Sequence, residues 1–338
     1  MLDLVFFSSP IGLGHATRDV AISHNLDGIS KKFISGSAGT QLISQNGFKV
    51  ENLYRPPPFQ IKNGNLQRPL SWLVKYYSYY KECKKISAQI LDTDLPRLVV
   101  SDEDFASLVI AQQKRIKTIL ITDILETNFA KGFGGMIENQ MNRSMKKIIK
   151  KCDLVILPEN GKEEGNLVRV GPIVRETLKS REQLRENFAF NKKTIVLSIG
   201  GTDSGKFLIE KTLEAYSKMD MDAELVVVSG PSVQLNIPNI RNLGFVNNLH
   251  EIIFSSDLII SLAGKSTIDE SRHYGTPGIF IPIKGHFEQE ENAKKNGYTF
   301  EDIFRLDKLI LEKIKEKREP RPFDGAKKAS DLIKEFLV

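Results

Sequence analysis

A histidine at the start of a predicted helix is the first residue whose type and position could support acid–base chemistry. His15 follows the apolar run 4–7 and lies in the glycine-containing segment 11–18, so it is expected where a strand leads into a helix. An imidazole titrates near neutral pH and can take a proton from a substrate hydroxyl as a general base. The alternative is a helix-capping or structural histidine.

Three consecutive acids form a second group that could act as a base. Asp102, Glu103 and Asp104 follow the apolar run 98–100, which places them at the same edge of the predicted sheet as the histidine. An Asp-x-Asp spacing, present here and again at 92–94, is also used by metal-binding motifs.

The segment 261–270 has the composition of a phosphate-binding helix start. It follows the apolar run 258–260, and the N–H groups from Gly264 onward, with the hydroxyls of Ser266 and Thr267, would face a diphosphate. One turn further on, a carboxylate at position 270 could accept hydrogen bonds from sugar hydroxyls. The alternative is a capped helix whose acidic residues offset its dipole.

Two other glycine segments fail the tests for common nucleotide motifs. In the first, Thr17 replaces the third glycine of the dinucleotide fingerprint, and no acid ends the second strand near Gly36. In the second, 200–207, Phe207 replaces the Ser or Thr that binds magnesium in a P-loop. Nicotinamide, flavin and NTPase functions are therefore disfavoured, and a P-loop-like nucleotide switch remains an alternative.

Short apolar runs alternate with amphipathic stretches and must position these residues. Unbroken apolar strands separated by helices are typical of parallel sheets covered on both faces, so the predicted fold class is α/β. With 338 residues, two domains are expected, 1–160 and 181–322, joined by a polar linker at 161–180 and followed by a helix at 323–338. The predicted strands are 4–7, 33–35, 97–100, 118–121, 154–157, 194–199, 225–228, 258–260 and 278–281.

Together these motifs resemble those of GT-B nucleotide-sugar glycosyltransferases. More narrowly, they resemble glycosyltransferase family 28, the group of the peptidoglycan N-acetylglucosaminyl transferases and their archaeal and bacterial relatives. The run 12–18 is similar to the family's glycine loop ending in His. The segment 257–293 resembles its donor-binding region, with Ser-x-x-Gly-x-x-Thr-x-x-Glu, Gly-x-Pro and Gln-x-x-Asn-Ala. The resemblance implies two facing Rossmann-like domains with a cleft, the first for the acceptor and the second for a UDP-sugar, and a last helix that crosses back to the first.

The resemblance also assigns roles to single residues. Glu270 matches a glutamate that binds the donor ribose, Gln289 matches a glutamine near the donor sugar, and Phe245 falls where the family contacts the base. Lys265 departs from the pattern, because it replaces a small residue. The further donor-binding candidates are Gly201, Thr202, Ser204, Ser229, Gly264, Ser266, Thr267 and Glu288.

The chemistry that this family implies is inversion at the anomeric carbon. A base removes the acceptor proton while a helix dipole stabilises the departing UDP. His15 is the first candidate for the base, and Asp102 and Glu103 are the alternatives. No metal or cofactor is expected besides the UDP-sugar co-substrate, because this fold uses a helix end where the other glycosyltransferase fold uses a metal ion; the Asp-x-Asp spacings are interpreted as chance.

The positive charge of the chain, +6 in total, is concentrated in its first half. Residues 1–165 carry +5 and residues 166–338 carry +1, and the span 49–85 alone carries +6 and holds the one Trp. A basic helix with an aromatic face can lie at a membrane interface. The alternative is that the aromatic face packs against the sheet. The candidates for acceptor or membrane contact are Gly14, Arg18, Trp72, Lys75, Tyr76, Phe133 and Lys146.

The sequence therefore predicts an inverting glycosyltransferase that moves a hexose, such as N-acetylglucosamine, from a UDP-sugar to a hydroxyl of a lipid-linked or other anionic acceptor. Two cysteines and the absence of a basic leader or an 18-residue apolar run favour a cytoplasmic location, with peripheral contact at the inner membrane face. No nucleic-acid-binding module is recognisable. The alternatives are a non-hydrolysing nucleotide-sugar epimerase, whose second histidine would be His273 or His286, and a non-catalytic nucleotide-sugar binder.

Overall fold

The computed structural model describes residues 2–127, 133–201, 203–230 and 240–337. These residues form two compact units. The first comprises Met1–Pro58, Arg68–Val174 and Phe323–Val338, and the second comprises Phe59–Gln67 and Arg175–Pro322. The chain thus enters the main part of the second unit at Arg175, inside the predicted linker 161–180.

The strands confirm the predicted α/β class, since all nine predicted runs form strands. Five further strands are two or three residues long. The strands are β1 (Leu4–Ser8), β2 (Lys31–Ser35), β3 (Val50–Asn52), β4 (Gln60–Lys62), β5 (Asn65–Gln67), β6 (Leu98–Asp102), β7 (Lys117–Ile121), β8 (Leu154–Leu157), β9 (Leu167–Arg169), β10 (Lys193–Ser198), β11 (Ala223–Val228), β12 (Arg241–Asn242), β13 (Leu258–Leu262) and β14 (Gly278–Ile281).

The helices follow the strands in the alternating order of an α/β protein. Short 3₁₀ segments occur at Asp203–Gly205 and Phe300–Arg305. The α-helices are α1 (Gly14–Ser23), α2 (Ser37–Gln45), α3 (Pro69–Asp94), α4 (Phe105–Gln113), α5 (Phe133–Lys150), α6 (Arg181–Asn187), α7 (Lys206–Tyr216), α8 (Leu249–Ser255), α9 (Lys265–Tyr274), α10 (Phe287–Lys295), α11 (Leu306–Lys313) and α12 (Gly325–Glu335).

The first unit is built on a parallel sheet of seven strands in the order β3-β2-β1-β6-β7-β8-β9. Its register pairs Ser8, the last residue of β1, with Asp102, the last residue of β6. Both strands are fully buried, as expected for a parallel sheet covered by helices. The loops after β1 and β6 therefore leave the same edge of the sheet side by side.

The second unit is built on a parallel sheet of five strands in the order β12-β11-β10-β13-β14. Ser198 at the end of β10 is paired with Ser261 in β13 and with Val228 at the end of β11. The segments that follow these strands, including the start of α9, consequently meet at one edge. In open parallel sheets this is the edge where ligands bind.

The last helix, α12, belongs to the first unit. Its first residue, Gly325, fits closely against the backbone of Pro172, because a Cβ at this position would lie 2.4 Å from the Pro172 carbonyl oxygen. Among the described helices, none has both the length and the apolar character required to cross a bilayer.

Arg318 holds together the ends of two helices in the second unit. Its guanidinium donates to the carbonyls of Ser256 at 2.7 Å and of Phe254 and Tyr274 at 3.0 Å, and also to the Thr276 hydroxyl at 2.8 Å. These acceptors follow or end α8 and α9, whose last carbonyls have no partner within their helices. One side chain thus satisfies acceptors that would otherwise be buried and unpaired.

We expect Arg318→Met to lower the free energy of unfolding of the second unit by about 2–4 kcal/mol, since it leaves several buried carbonyls unsatisfied. Urea unfolding followed by far-UV circular dichroism measures the change. The control is Arg321→Met, at an exposed arginine three residues further on. Equal effects of the two variants would contradict this account of Arg318.

Candidate functional site

The first unit brings together the histidine and the acids that the sequence analysis proposes as alternative bases. His15 lies in the first turn of α1, and its Nδ1 is 2.7 Å from Oδ1 of Asp102 at the end of β6. The pairing of Ser8 with Asp102 produces this contact, because α1 begins six residues after β1 ends. Asp102 is fully buried, whereas the imidazole retains 14% of its exposure. The two residues form a histidine–carboxylate pair with an accessible ring.

Arg18 anchors this pair from one turn further along α1. Its guanidinium contacts both oxygens of Asp102, Nη2 to Oδ1 at 2.6 Å and Nε to Oδ2 at 3.0 Å, and its Nη1 lies 3.2 Å from Asp123 Oδ2. Arg18 is 4% exposed. Its charge is thus already matched by carboxylates of the same unit, which makes it a support for Asp102 and does not favour the predicted contact with an acceptor.

Glu103 and Asp104 have different surroundings despite being neighbours in the chain. Glu103 has a left-handed backbone with φ of 56°, and its carboxylate lies 3.8 Å from His15 Nε2 and accepts from the Thr122 hydroxyl at 3.0 Å. Asp104 instead caps α4 through the N–H groups of its first turn and accepts from the Tyr54 hydroxyl at 2.7 Å. Glu103 therefore faces the histidine, while Asp104 has a structural role.

The charges around His15 change its proton affinity. Burial alone would lower the pKa of His15, but the carboxylates of Asp102 and Glu103 raise it to about 9. Burial favours the neutral form of Asp102, yet Arg18 and His15 hold its pKa below the usual range. Burial and the nearby charge of Asp123 raise the pKa of Glu103 well above its ordinary value. Asp102 therefore carries the negative charge that His15 feels most strongly.

Three of these residues could also supply ligands to a metal ion. One ligand atom each from His15, Asp102 and Glu103 lies within 4.8 Å of the others. Arg18, however, contacts both Asp102 oxygens and would lie against a bound cation. The positive guanidinium makes this cluster a poor site for a divalent metal.

The second unit forms a helix start of the predicted kind. Gly264 is the N-cap of α9 in extended conformation, and its own N–H donates to the Leu262 carbonyl at 2.7 Å. A Cβ at Gly264 would meet nothing within 4 Å, so there is open space beside the first turn. The hydroxyl residues Ser266 and Thr267 lie in that turn, where helix N–H groups and the dipole favour an anion. Lys265 pairs with Asp269 at 2.8 Å on the same helix.

Glu270 is held by an arginine that no sequence motif marks. Arg175 Nε lies 2.8 Å and Nη2 3.3 Å from the two carboxylate oxygens, and Nη1 donates to the Asn247 carbonyl at 2.6 Å. Glu270 is 1% exposed. A ribose at this carboxylate would share it with Arg175. In the sequence Arg175 is one of several basic residues in and beside the predicted linker 161–180, and it belongs to no motif.

The other predicted donor residues lie in loops at this sheet edge or close after it. Ser229 is buried after β11 and donates to Asn242 Oδ1 at 3.2 Å, and Phe245 is half-buried in the loop before α8. Gly201 and Ser204 follow β10, and Glu288 and Gln289 lie in the first turn of α10. Thr202 lies outside the described residues. The roles of all these residues in donor binding stay predictions.

The predicted acceptor residues are divided between the interior and the surface. Trp72 and Tyr76 are half-buried, stack on each other at 5.0 Å between centroids, and the indole N–H donates to the Pro57 carbonyl at 2.9 Å. The aromatic face of α3 thus packs inward, as the alternative interpretation expected, and Lys75 is exposed. Gly14 opens α1, Lys146 pairs with Glu126 at the surface, and the side chain of Phe133 lies outside the described part of the chain.

The two units, each built on a parallel sheet, have the fold of GT-B glycosyltransferases. Residues 195–320 match the family model of the glycosyltransferase family 28 C-terminal domain. The protein is a glycosyltransferase, and the residues that match this domain model lie in its second unit.

Known proteins similar to the chain agree with this assignment. An uncharacterized glycosyltransferase of Methanosarcina acetivorans is 25% identical, covering 88% of this chain and 84% of its own length. A UDP-N-acetylglucosamine–N-acetylmuramyl-(pentapeptide) pyrophosphoryl-undecaprenol N-acetylglucosamine transferase of Caldicellulosiruptor saccharolyticus is 25% identical, covering 93% of this chain and 89% of its own. Among solved structures, the glycotransferase of kitacinnamycin has a TM-score of 0.71 at 14% identity, with 99% of both chains covered.

We expect His15 to titrate with a midpoint near pH 9, which NMR of ¹⁵N-histidine-labelled protein measures. Because this pKa exceeds the ordinary 6.5, the pair adds its full contribution to the free energy of unfolding below pH 6.5. That contribution is lost as pH rises through about 9. Asp102→Asn removes the main charge that raises the pKa, so the midpoint should fall well below 9. The control is Asp92→Asn, at a carboxylate paired with Lys114 at the surface. An unchanged midpoint in Asp102→Asn would refute the assignment.

Proposed function

We propose that the protein is an inverting glycosyltransferase that moves a sugar from a UDP-sugar to a hydroxyl of a lipid-linked acceptor, with His15 as the general base. The observation that carries this proposal is the 2.7 Å contact between His15 Nδ1 and Asp102. In the neutral ring this contact holds the proton on Nδ1 and leaves the lone pair on Nε2. Nε2 is then the atom that accepts the hydroxyl proton. Because the pKa of His15 is raised to about 9, the neutral ring is the minor form near pH 7, and turnover should increase as pH rises toward 9.

The reaction follows from this proton transfer. As Nε2 takes the proton, the acceptor oxygen forms a bond to the anomeric carbon on the face opposite the nucleotide. The bond from that carbon to the phosphate oxygen breaks, and its electron pair leaves with UDP. The imidazolium that forms is stabilised by Asp102, which Arg18 holds in place through both oxygens. Displacement on the opposite face inverts the anomeric configuration.

The donor half of the proposal rests on the start of α9. The leaving diphosphate gains negative charge, and the N–H groups of the first turn of α9 would stabilise it without a metal ion. The family 28 domain, 195–320, contains this helix. The name of the Caldicellulosiruptor relative includes UDP-N-acetylglucosamine and a pyrophosphoryl-undecaprenol, which supports a UDP-sugar and a lipid-linked acceptor here.

Contact with a membrane would use a face of α3 other than the predicted one. Leu70, Val74 and Tyr77 are 49%, 70% and 60% exposed and follow one another at helical spacing. The ammonium of Lys81 lies 4.5 Å from the centre of the Tyr77 ring, and Lys75 is exposed nearby in the sequence. An apolar stripe with flanking lysines suits an anionic lipid surface.

We expect His15→Ala to lower kcat by a factor of about 10²–10⁴, the usual contribution of a general base, while leaving UDP binding unchanged. Turnover is measured as UDP release with UDP-N-acetylglucosamine and a polyprenyl-pyrophosphoryl sugar acceptor, in excess EDTA because the mechanism needs no metal. UDP binding is measured by thermal shift.

The matched control is His24→Ala, because His24 is exposed at the other end of α1. The donor is also incubated alone, since an epimerase would convert it without an acceptor. Full turnover by His15→Ala, or activity that EDTA abolishes and Mg²⁺ restores, would contradict the mechanism. Stabilisation by ATP and not by UDP would contradict the donor class.

We expect Leu70→Glu/Val74→Glu to weaken binding to phosphatidylglycerol vesicles at least about tenfold, because each buried aliphatic side chain contributes about 1.5–3 kcal/mol. Co-sedimentation measures the bound fraction. Leu178→Glu, at a fully exposed leucine of the second unit, is the control. Equal binding of wild type and the double variant would remove α3 from the membrane proposal.

A further inference from the structure

A short hairpin lies between two segments of the first unit in the sequence but is part of the second unit in the fold. We call the segment Phe59–Gln67 the arm; it forms β4 and β5, which pair antiparallel with Lys62 opposite Asn65. The turn residues Asn63 and Gly64 have φ of 49° and 71°, as a two-residue hairpin turn with the native strand twist requires. The arm is therefore a folded element of the second unit.

The tip of the arm sits on two aromatic rings of the second unit. Gly64 is buried, and a Cβ there would lie 2.7 Å from a ring carbon of Phe300 and 2.8 Å from one of Phe207. The two rings stack with centroids 6.4 Å apart. Phe207 is the residue that replaces the P-loop hydroxyl in the segment 200–207. The Phe207 ring packs against the tip of the arm, and this contact explains why an aromatic residue stands where a P-loop has a hydroxyl.

The second strand of the arm is hydrogen-bonded to the segment that follows β14. The Leu66 N–H donates to the Lys284 carbonyl at 2.9 Å, and the Lys284 N–H donates to the Gly64 carbonyl at 2.9 Å. At the base of the arm, the rings of Phe59 and His286 meet at 5.5 Å between centroids. Backbone and ring contacts thus fix Lys284 and its neighbours to the arm.

The same segment is attached on its other side to the start of α10. The Ile283 N–H donates to Gln289 Oε1 at 3.0 Å, and the Gly285 N–H donates to Glu290 Oε1 at 2.8 Å. Because Oε1 of Gln289 already accepts from the backbone, its carboxamide is oriented to offer Nε2, which only donates hydrogen bonds. A sugar at Gln289 must therefore present an acceptor oxygen, such as a hydroxyl or an N-acetyl carbonyl.

We infer that the arm is a positioning element of the donor site, which fixes the carboxamide of Gln289 for the sugar of the nucleotide-sugar through Lys284 and Ile283. This inference rests on the proposed function, which places the donor sugar at Gln289. The nucleotide would be held at the start of α9, which none of these arm contacts involves. Loosening the arm therefore weakens recognition of the sugar and spares recognition of UDP.

The test is Gly64→Ala, which places a methyl group against the rings of Phe207 and Phe300 and displaces the tip of the arm from them. The matched control is Gly28→Ala, because Gly28 has a similar φ of 74° but open space around its Cβ position. We expect Gly64→Ala to raise KM for the UDP-sugar about tenfold, with kcat and the Ki of UDP changed less than about twofold. Gly28→Ala should change none of them.

A second pair of variants tests the base of the arm without altering a turn. Phe59→Ala removes the ring that contacts His286 and should raise the KM for the donor. Phe59→Leu keeps a large apolar side chain and should bring this KM most of the way back to the wild-type value. An equal rise in the Ki of UDP, or a donor KM unchanged in both Gly64→Ala and Phe59→Ala, would overturn the inference.

Hydrogen exchange separates this inference from the proposed function. The Ile283 and Lys284 amides should exchange faster in Gly64→Ala than in wild type and Gly28→Ala, whatever the donor is. If wild type binds no UDP but these amides respond, the donor class is wrong and the arm still positions Gln289. Unchanged exchange would overturn the positioning role itself.

Discussion

The carboxylate of Asp102 is the group on which the geometry of the candidate site in the first unit depends. It is fully buried, and it receives the imidazole of His15 on one oxygen and the guanidinium of Arg18 on both. A buried charge of this kind is tolerated only when it is paired and hydrogen-bonded. The same two partners also belong to one helix, α1, so the pairing sets the rotation of α1 against the sheet as well as the proton affinity of the histidine.

A similar arrangement recurs in the second unit with the roles of the elements exchanged. There the buried carboxylate of Glu270 lies on the helix α9, and its partner Arg175 is the residue at which the main part of the second unit begins. Arg175 also binds the Asn247 carbonyl, and the Tyr274 hydroxyl donates to the Arg175 carbonyl. These contacts hold α9 in place, while space beside its first residues stays open at Gly264. In both units a buried ion pair holds a helix start at the ligand edge of a parallel sheet.

Most of the fold could be predicted because unbroken apolar runs allow few alternatives. The nine runs form strands since only a parallel sheet buries both of their faces. The short strands β3, β4, β5, β9 and β12 could not be predicted, because two or three residues give no periodic signal.

The candidate site was predictable in its members but not in its contacts. His15 and Asp102 were both candidates, yet 87 positions separate them and only the register of β1 with β6 makes them a pair. On α3, helical spacing showed that Trp72 and Tyr76 share a face. It could not show that this face is the one turned inward. Arg175 lacked any motif because its role comes from Glu270, 95 positions away.

The arm and α12 have a consequence for any attempt to build chimeric transferases. Neither unit is a continuous stretch of chain, since the second includes residues 59–67 and the first includes residues 323–338. A single crossover at position 174 would give the new second unit a foreign hairpin against Phe207 and Phe300, and the first unit a foreign last helix. Exchange of the second unit between relatives of this protein therefore calls for transplanting two segments together, the hairpin and the body of the second unit, with the last junction placed before α12.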